Sequence, residues 1–174
     1  TYRVGGKADC IVSPNNEDDL VSTLKLFYLY GVDHYTIGRG SKLLVSDKGV
    51  KKILLSTVFV NDVYVKDNYL YANAGVSVGK LLSTCKQYGL TGLEFLAGIP
   101  ATVGGLVALN GGAFSQSVFD KIANVTVFSN GNVRTFSPSK DSFGYRFSPI
   151  RAFDTVISCT FKLDYLDTTT VLGN

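Results

Sequence analysis

Residues 92–114 read GLEFLAGIPATVGGLVALNGGAF, six glycines and one proline in 23 residues with almost no charge. Few local structures accept such a run. Glycine at a helix start costs stability relative to alanine. The adjacent Gly104 and Gly105 therefore need a compensation, and close approach of the backbone to a ligand or to another element supplies one. Pro100 suits the first turn of a helix, where its missing N–H leaves nothing unpaired, and the amides of residues 101–105 would then point at whatever lies before the helix. A pyrophosphate fits that geometry, and a tightly packed buried helix fits it equally.

A second glycine segment lies upstream. Residues 35–45 (YTIGRGSKLLV) set Gly38 and Gly40 directly after a strand, where backbone can approach a ligand and turn free N–H groups on an anion. Taken alone, a tight connection using the glycines only for positive φ explains this segment slightly better. The third glycine of GxGxxG and the GK[ST] ending of a P-loop are both missing, so neither a Rossmann nor a Walker site is supported. A third cluster, Gly144, Tyr145, Arg146, Phe147 and Ser148, puts an arginine beside a phenol in an apolar stretch. Arginine's forked, permanent charge suits a carboxylate and stabilises negative charge developing there, although an exposed arginine beside a core tyrosine is the commoner occurrence.

Around these segments the apolar pattern predicts an α+β fold in two lobes. In the first, residues 1–57, a strand over 8–12 precedes a helix capped by Asn16, with Leu20, Leu24 and Phe27 on one face and Gly31 at its end. A strand at 35–37 and a β-rich run at 50–55 complete a small β-α-β-β lobe. The second, residues 58–166, opens with a hairpin of VYV against YLYA and continues with a helix over 78–88 that Gly89 stops. Residues 122–128 and 133–136 alternate around Asn130 and Gly131, a pair suited to a primed two-residue turn, and 155–163 supplies another strand. The lobe reads as an antiparallel sheet with flanking helices. Residues 167–174, with three consecutive threonines, read as a tail or the start of a linker.

A chain of 174 residues with 45% hydrophobic content can bury the core of two such lobes. Seventeen basic and 14 acidic side chains leave a scattered net charge of +3, which excludes a nucleic-acid or anionic-membrane surface but not a small anionic ligand. Cys10, Cys85 and Cys159 are odd in number, far apart and set in apolar stretches, the pattern of buried free thiols in a reducing compartment. His34 is the only histidine and no carboxylate cluster compensates, so no metal is expected. With no apolar run long enough for a bilayer and no signal-peptide pattern, a cytoplasmic location follows. The start in mid-pattern and the lack of methionine fit a trimmed or partial polypeptide, and removal of an initiator before Thr1 explains the start equally well.

Taken in order, TYRVGG at 1–6, GRGSKLLV at 38–45, GLTGLEFLAGIPATVGG at 89–105, NGGAF at 110–114 and YRFS at 145–148 closely resemble the UDP-N-acetylenolpyruvoylglucosamine reductase family, also called UDP-N-acetylmuramate dehydrogenases. The ordered series is far more specific than any one member. The resemblance implies the two-lobed, vanillyl-alcohol-oxidase type of fold with non-covalent FAD and NADPH as co-substrate. It also implies a cytoplasmic flavoprotein oxidoreductase of peptidoglycan synthesis, a monomer that reduces the enolpyruvyl ether of a UDP-sugar. It assigns Ile37, Gly38, Arg39, Gly40, Ser41, Lys42 and Leu43, with Gly98, Ile99, Pro100, Thr102, Val103, Gly104 and Gly105, to the FAD pyrophosphate. Asn110, Gly111, Gly112, Ala113 and Phe114 would lie near the ribityl chain and flavin ring, and Tyr145 and Arg146 match the catalytic motif whose arginine polarises the substrate carboxylate.

Three departures qualify the match. Lys42 stands where asparagine is usual, and NGGAF replaces N-A-G-A-Y. In the family a further C-terminal domain carries the acid serine, a late glutamate and most of the nucleotide-sugar pocket, and no such segment occurs in these residues. Ser148 does not match the acid serine and is not given its role. A truncated module that binds FAD without turnover is therefore the competing expectation. A small-alcohol or sugar oxidase of the same fold is a third, disfavoured by the lack of a suitably placed histidine for covalent flavin attachment.

Overall fold

In the computed structural model, which describes residues 4–166, Asn16 opens the first helix as expected. Its Oδ1 accepts the Asp19 amide at 2.8 Å, and Glu17, Asp18 and Asp19 put negative charge at the positive end of the dipole of α1 (Glu17–Leu29). Strands β1 (Ile11–Val12), β2 (His34–Ile37) and β3 (Ile53–Ser56) form a parallel sheet in the order β1-β3-β2. The β-α-β-β succession is the predicted one, with the first and last strands shorter than expected and the second one residue longer. Ala8 and Val50 meet only as an isolated bridge, because the turn closed by Gly49 N to Ser46 O bends the chain away.

The second lobe matches its alternation closely. Strands β4 (Val63–Lys66) and β5 (Tyr69–Asn73) form the first hairpin, and Ser77 caps α2 (Val78–Gln87). Between them and the second hairpin lie β6 (Leu90–Thr91), the short helix α3 (Val103–Ala108) and a small ribbon of β7 (Gly112–Ala113) and β8 (Gln116–Ser117). Strands β9 (Ile122–Ser129) and β10 (Asn132–Phe136) turn at Asn130 and Gly131, both at positive φ as a primed turn demands. With β11 (Thr155–Lys162) they complete an antiparallel five-stranded sheet, β10-β9-β11-β5-β4, and β12 (Asp164–Tyr165) returns to pair with β6.

Strand β11 lies at the middle of that sheet and is buried on both faces, so its apolar side chains serve two cores and even Thr155 and Ser158 are buried. Val156, Cys159 and Phe161 join the larger core under α2 and α3, whereas Ile157 and Phe128 join Leu20, Leu24, Leu55 and Val60. The first lobe thus has no core of its own: α1 and β3 bury their apolar side chains against the second lobe's sheet. A polar contact runs alongside, with the Glu17 carboxylate accepting from the Tyr71 hydroxyl and, at 2.5 Å, from Asn73 Nδ2.

Cys85 and Cys159 are buried as expected, but Cys10 is exposed. It precedes a two-residue strand at the sheet edge, whose Ile11 is exposed as well. Among the described residues no helix is long and apolar enough to cross a membrane. The residue range 167–174 read as a tail or linker lies outside the described residues, as do the first three of TYRVGG.

Candidate functional site

Where β2 ends, the first glycine segment meets the second. A Cβ on Gly38 would stand 2.3 Å from Thr102 Oγ1, so the absence of a side chain at 38 is what lets the two segments touch. The contact sits in a cleft of about 560 Å³ between the lobes. Residues 32–38 form one wall, with Ala74, Gly104, Gly105, Ala108 and Leu109 opposite and residues 150–156 closing the side. A hydrogen bond of 2.9 Å between Thr36 Oγ1 and Thr155 Oγ1 pins the walls together. At the mouth, Asp33 Oδ2 lies 2.5 Å from Lys52 Nζ and raises the lysine's pKa above its ordinary value, and the ammonium lies over the Tyr35 ring.

The loop after β2 keeps its donors free. Among the described residues no protein acceptor takes the amides of Arg39, Gly40, Ser41 or Lys42, and Gly40 adopts φ +66°. Consecutive unclaimed amides around a left-handed glycine make a nest for an anion. The side chains of Arg39 and Lys42 are exposed beside it, and neither forms an ion pair among the described residues.

The second segment departs from expectation. Pro100 is not in the first turn: α3 starts at Val103 with Thr102 as its cap, leaving Pro100 exposed two residues before that cap. Residues 101–104 instead run as a strand-like ladder against 74–78. Val78 N donates to Ala101 O at 3.1 Å, Val103 N to Val76 O at 2.8 Å and Gly104 N to Ala74 O at 2.8 Å. Ala101 N also donates to Ile99 O at 2.9 Å, so three of the five amides expected to face an anion are consumed inside the protein.

The two glycines at the helix start divide the two reasons for having no side chain. A Cβ on Gly104 would lie 2.9 Å from Ala74 Cβ, whereas one on Gly105 would find no neighbour nearer than 3.7 Å and opens on the cleft. Val103 faces the core, Ile99 packs at its margin, and Gly98 is exposed at φ +81°.

Asn110, Gly112, Ala113, Phe114, Tyr145 and Arg146 gather around a second pocket of about 520 Å³. Gly111 packs on α3, and its missing methyl leaves room for Leu106 Cδ2, which would be 2.6 Å from a Cβ. Gly144 and Phe147 exchange both backbone hydrogen bonds at 3.0 Å, making Tyr145 and Arg146 the two central residues of a tight turn. Tyr145 is 93% exposed, and the Arg146 guanidinium lies 5.6 Å from the centre of its ring.

Backbone strain concentrates here. Of six non-glycine residues at positive φ among the described residues, Asp67 and Asn130 sit in hairpin turns, and the other four, Asn110, Phe114, Ser115 and Arg146, all line this pocket. Left-handed backbone in non-glycine residues persists where surrounding structure enforces it, and it clusters at functional sites. Among the residues that sequence reading missed are Thr36, Lys52, Ala74 and the 150–156 wall at the cleft, and Ser115, Ser117 and Asp120 at the second pocket. None carries a compositional signal, because each enters by the path of the backbone.

An inter-lobe cleft lined by glycine backbone, with free amides on the loop that continues its wall beyond Gly38, defines a nucleotide-cofactor module, and the donor set and clear floor at Gly105 fit a dinucleotide diphosphate. The chain belongs to the family of the FAD binding domain, whose model matches residues 8–137 and stops short of the Tyr145 and Arg146 turn. It is 34% identical over 165 residues to the UDP-N-acetylenolpyruvoylglucosamine reductase of Pelobacter propionicus, a match spanning 94% of this chain and 56% of that protein.

The crystal structure of UDP-N-acetylenolpyruvylglucosamine reductase from Thermus caldophilus superposes with a TM-score of 0.75 at 27% identity, over 93% of this chain and 58% of that one. Glucooligosaccharide oxidase from Acremonium strictum shares the fold at a TM-score of 0.68 and 19% identity, over 91% of this chain and 36% of the oxidase. The chain thus spans a little over half the length of the reductases it matches.

Proposed function

We propose that this chain is the flavin-holding part of an NADPH-dependent reductase that converts UDP-N-acetylglucosamine enolpyruvate to UDP-N-acetylmuramate in peptidoglycan synthesis. The observation that carries this reading is the placement of the Arg146 turn against the C-terminal end of α3, the helix whose N-terminal end meets the cofactor loop at Gly38. FAD, when bound, supplies the two-electron chemistry that accepts a hydride and passes it on. The chain's own part is binding and electrostatics. Amides of residues 39–42 hold the diphosphate, with Arg39 and Lys42 adding charge, and Gly38, Gly104 and Gly105 keep the cleft wall free of side chains.

Arg146, backed by Tyr145, binds the enolpyruvyl carboxylate and stabilises the negative charge that develops as the double bond is reduced. Ser148 is not the proton donor, since its hydroxyl is spent on the Ala108 carbonyl at 2.9 Å. The same reading implies a monomer acting in the cytoplasm. Its test is the visible spectrum of the purified chain after incubation with FAD, followed by NADPH oxidation with and without the enolpyruvyl UDP-sugar. A yellow protein is expected. A chain that stays colourless sinks the proposal, and bound flavin without substrate-dependent oxidation leaves a cofactor-binding module only.

A further inference from the structure

We infer that Asn110 and Ser148 are positioning residues that hold the Arg146 turn in its strained conformation against α3, an inference that rests on the reductase reading above. The turn projects from the surface between Phe143, whose ring lies 5.3 Å from that of Phe119, and Ile150 at the core margin, and two side-chain staples fix it between them. Asn110, 4% exposed, donates from Nδ2 to Gly144 O at 2.8 Å while its Oδ1 accepts the Phe119 amide at 3.2 Å. Ser148 Oγ donates to Ala108 O at 2.9 Å, and Ile150 N donates to it at 3.3 Å. One staple thus precedes Tyr145 and starts from Asn110, just past the end of α3, and the other follows Phe147 and ends on Ala108, the last residue of that helix.

The chemistry demanded of position 110 is narrow. One short side chain must give a donor to one loop and an acceptor to another, from a backbone at φ +43°. Asparagine meets all three demands, since it tolerates the left-handed region and carries both groups. Aspartate keeps the shape but turns an acceptor on the Gly144 carbonyl, and the buried contact becomes repulsive. Arg146 itself sits at φ +57°, a conformation that an unrestrained arginine leaves. Once the staples are cut the guanidinium is no longer held at the pocket, while the amide nest 39–42 is untouched.

The test uses the full-length flavin-loaded enzyme and separates two half-reactions by stopped flow: reduction of the flavin by NADPH, then its reoxidation by the enolpyruvyl UDP-sugar. Asn110→Asp is expected to slow reoxidation at least about tenfold, and Ser148→Ala, which is not among the residues assigned to the cofactor, to slow it by a smaller factor with flavin reduction affected far less. Residues that act through Arg146 lose their effect when it is gone, so either change added to Arg146→Ala is expected to slow single-turnover reoxidation further by less than about twofold.

Equal losses in both half-reactions, or losses that multiply fully on the Arg146→Ala background, overturn the positioning role. Wild-type enzyme whose flavin is not reoxidised by the sugar instead overturns the reductase reading. Should Asn110→Asp fail to fold, Ser148→Ala carries the same comparison.

Discussion

Gly38 illustrates how little space separates the two cofactor segments. Gly38→Ala drives a methyl into Thr102, which is almost wholly buried and β-branched, so neither its χ1 nor its backbone yields cheaply. We expect a loss of about 1–3 kcal/mol by urea denaturation, the range for overpacking a tight site, together with weaker FAD binding in a fluorescence titration. Unchanged stability would show that the loops part more easily than the geometry indicates. Arg146→Gly is expected to act the other way. Glycine accepts the left-handed turn without strain, so stability holds or rises by up to about 1 kcal/mol, while substrate-dependent turnover is lost. A variant both less stable and inactive would mean that the arginine's contacts outweigh its backbone cost.

At the scale of elements, α1 matters out of proportion to its lobe. Leu24→Ala removes a side chain that meets residues of both lobes, and a drop of about 2–5 kcal/mol in denaturant unfolding is expected. A drop under 1 kcal/mol would mean that α1 is only loosely seated. Much of this architecture was readable in advance. Asn16, Gly31, Asn130 and Gly131 mark where elements start and stop by their own chemistry, and period-two alternation marks the hairpins.

What stayed hidden depends on distant partners. Nothing in residues 100–105 announces that their amides pair with 74–78, so proline looked like a helix opener when it belongs to the lead-in. Arginine is not a residue type that signals positive φ, so the strain at 146 was invisible too. The nearness of the glycine segments in space was implied by family resemblance, not by either segment.

For the molecule as a whole, pH reports on the core. Burial pushes the Cys85 thiol up to about 11 from an ordinary 9.0 and also raises Cys159 well above that ordinary value, and burial first, then the hydrogen bond to Glu17, raises the Tyr71 phenol. A group whose pKa is raised by folding lends its full stability below its unfolded pKa, and that contribution is lost as the unfolded chain ionises first. Melting temperature should therefore be level across neutral pH and fall from about pH 9 toward 11, as scanning calorimetry would show. The fall should be shallower when Cys85 and Cys159 are both alanine, and an equal slope would place the alkaline sensitivity elsewhere.

The touch between Gly38 and Thr102 also bears on how such chains can change by descent. With Thr102→Ala in place, the nearest atom to an added methyl at 38 becomes the Cβ at 3.3 Å rather than an oxygen at 2.3 Å. Change at 102 is thus permissive and change at 38 is not. Lineages are expected to lose the threonine before the glycine, and the two positions to carry a shared history across lobes that lie 64 residues apart in the chain.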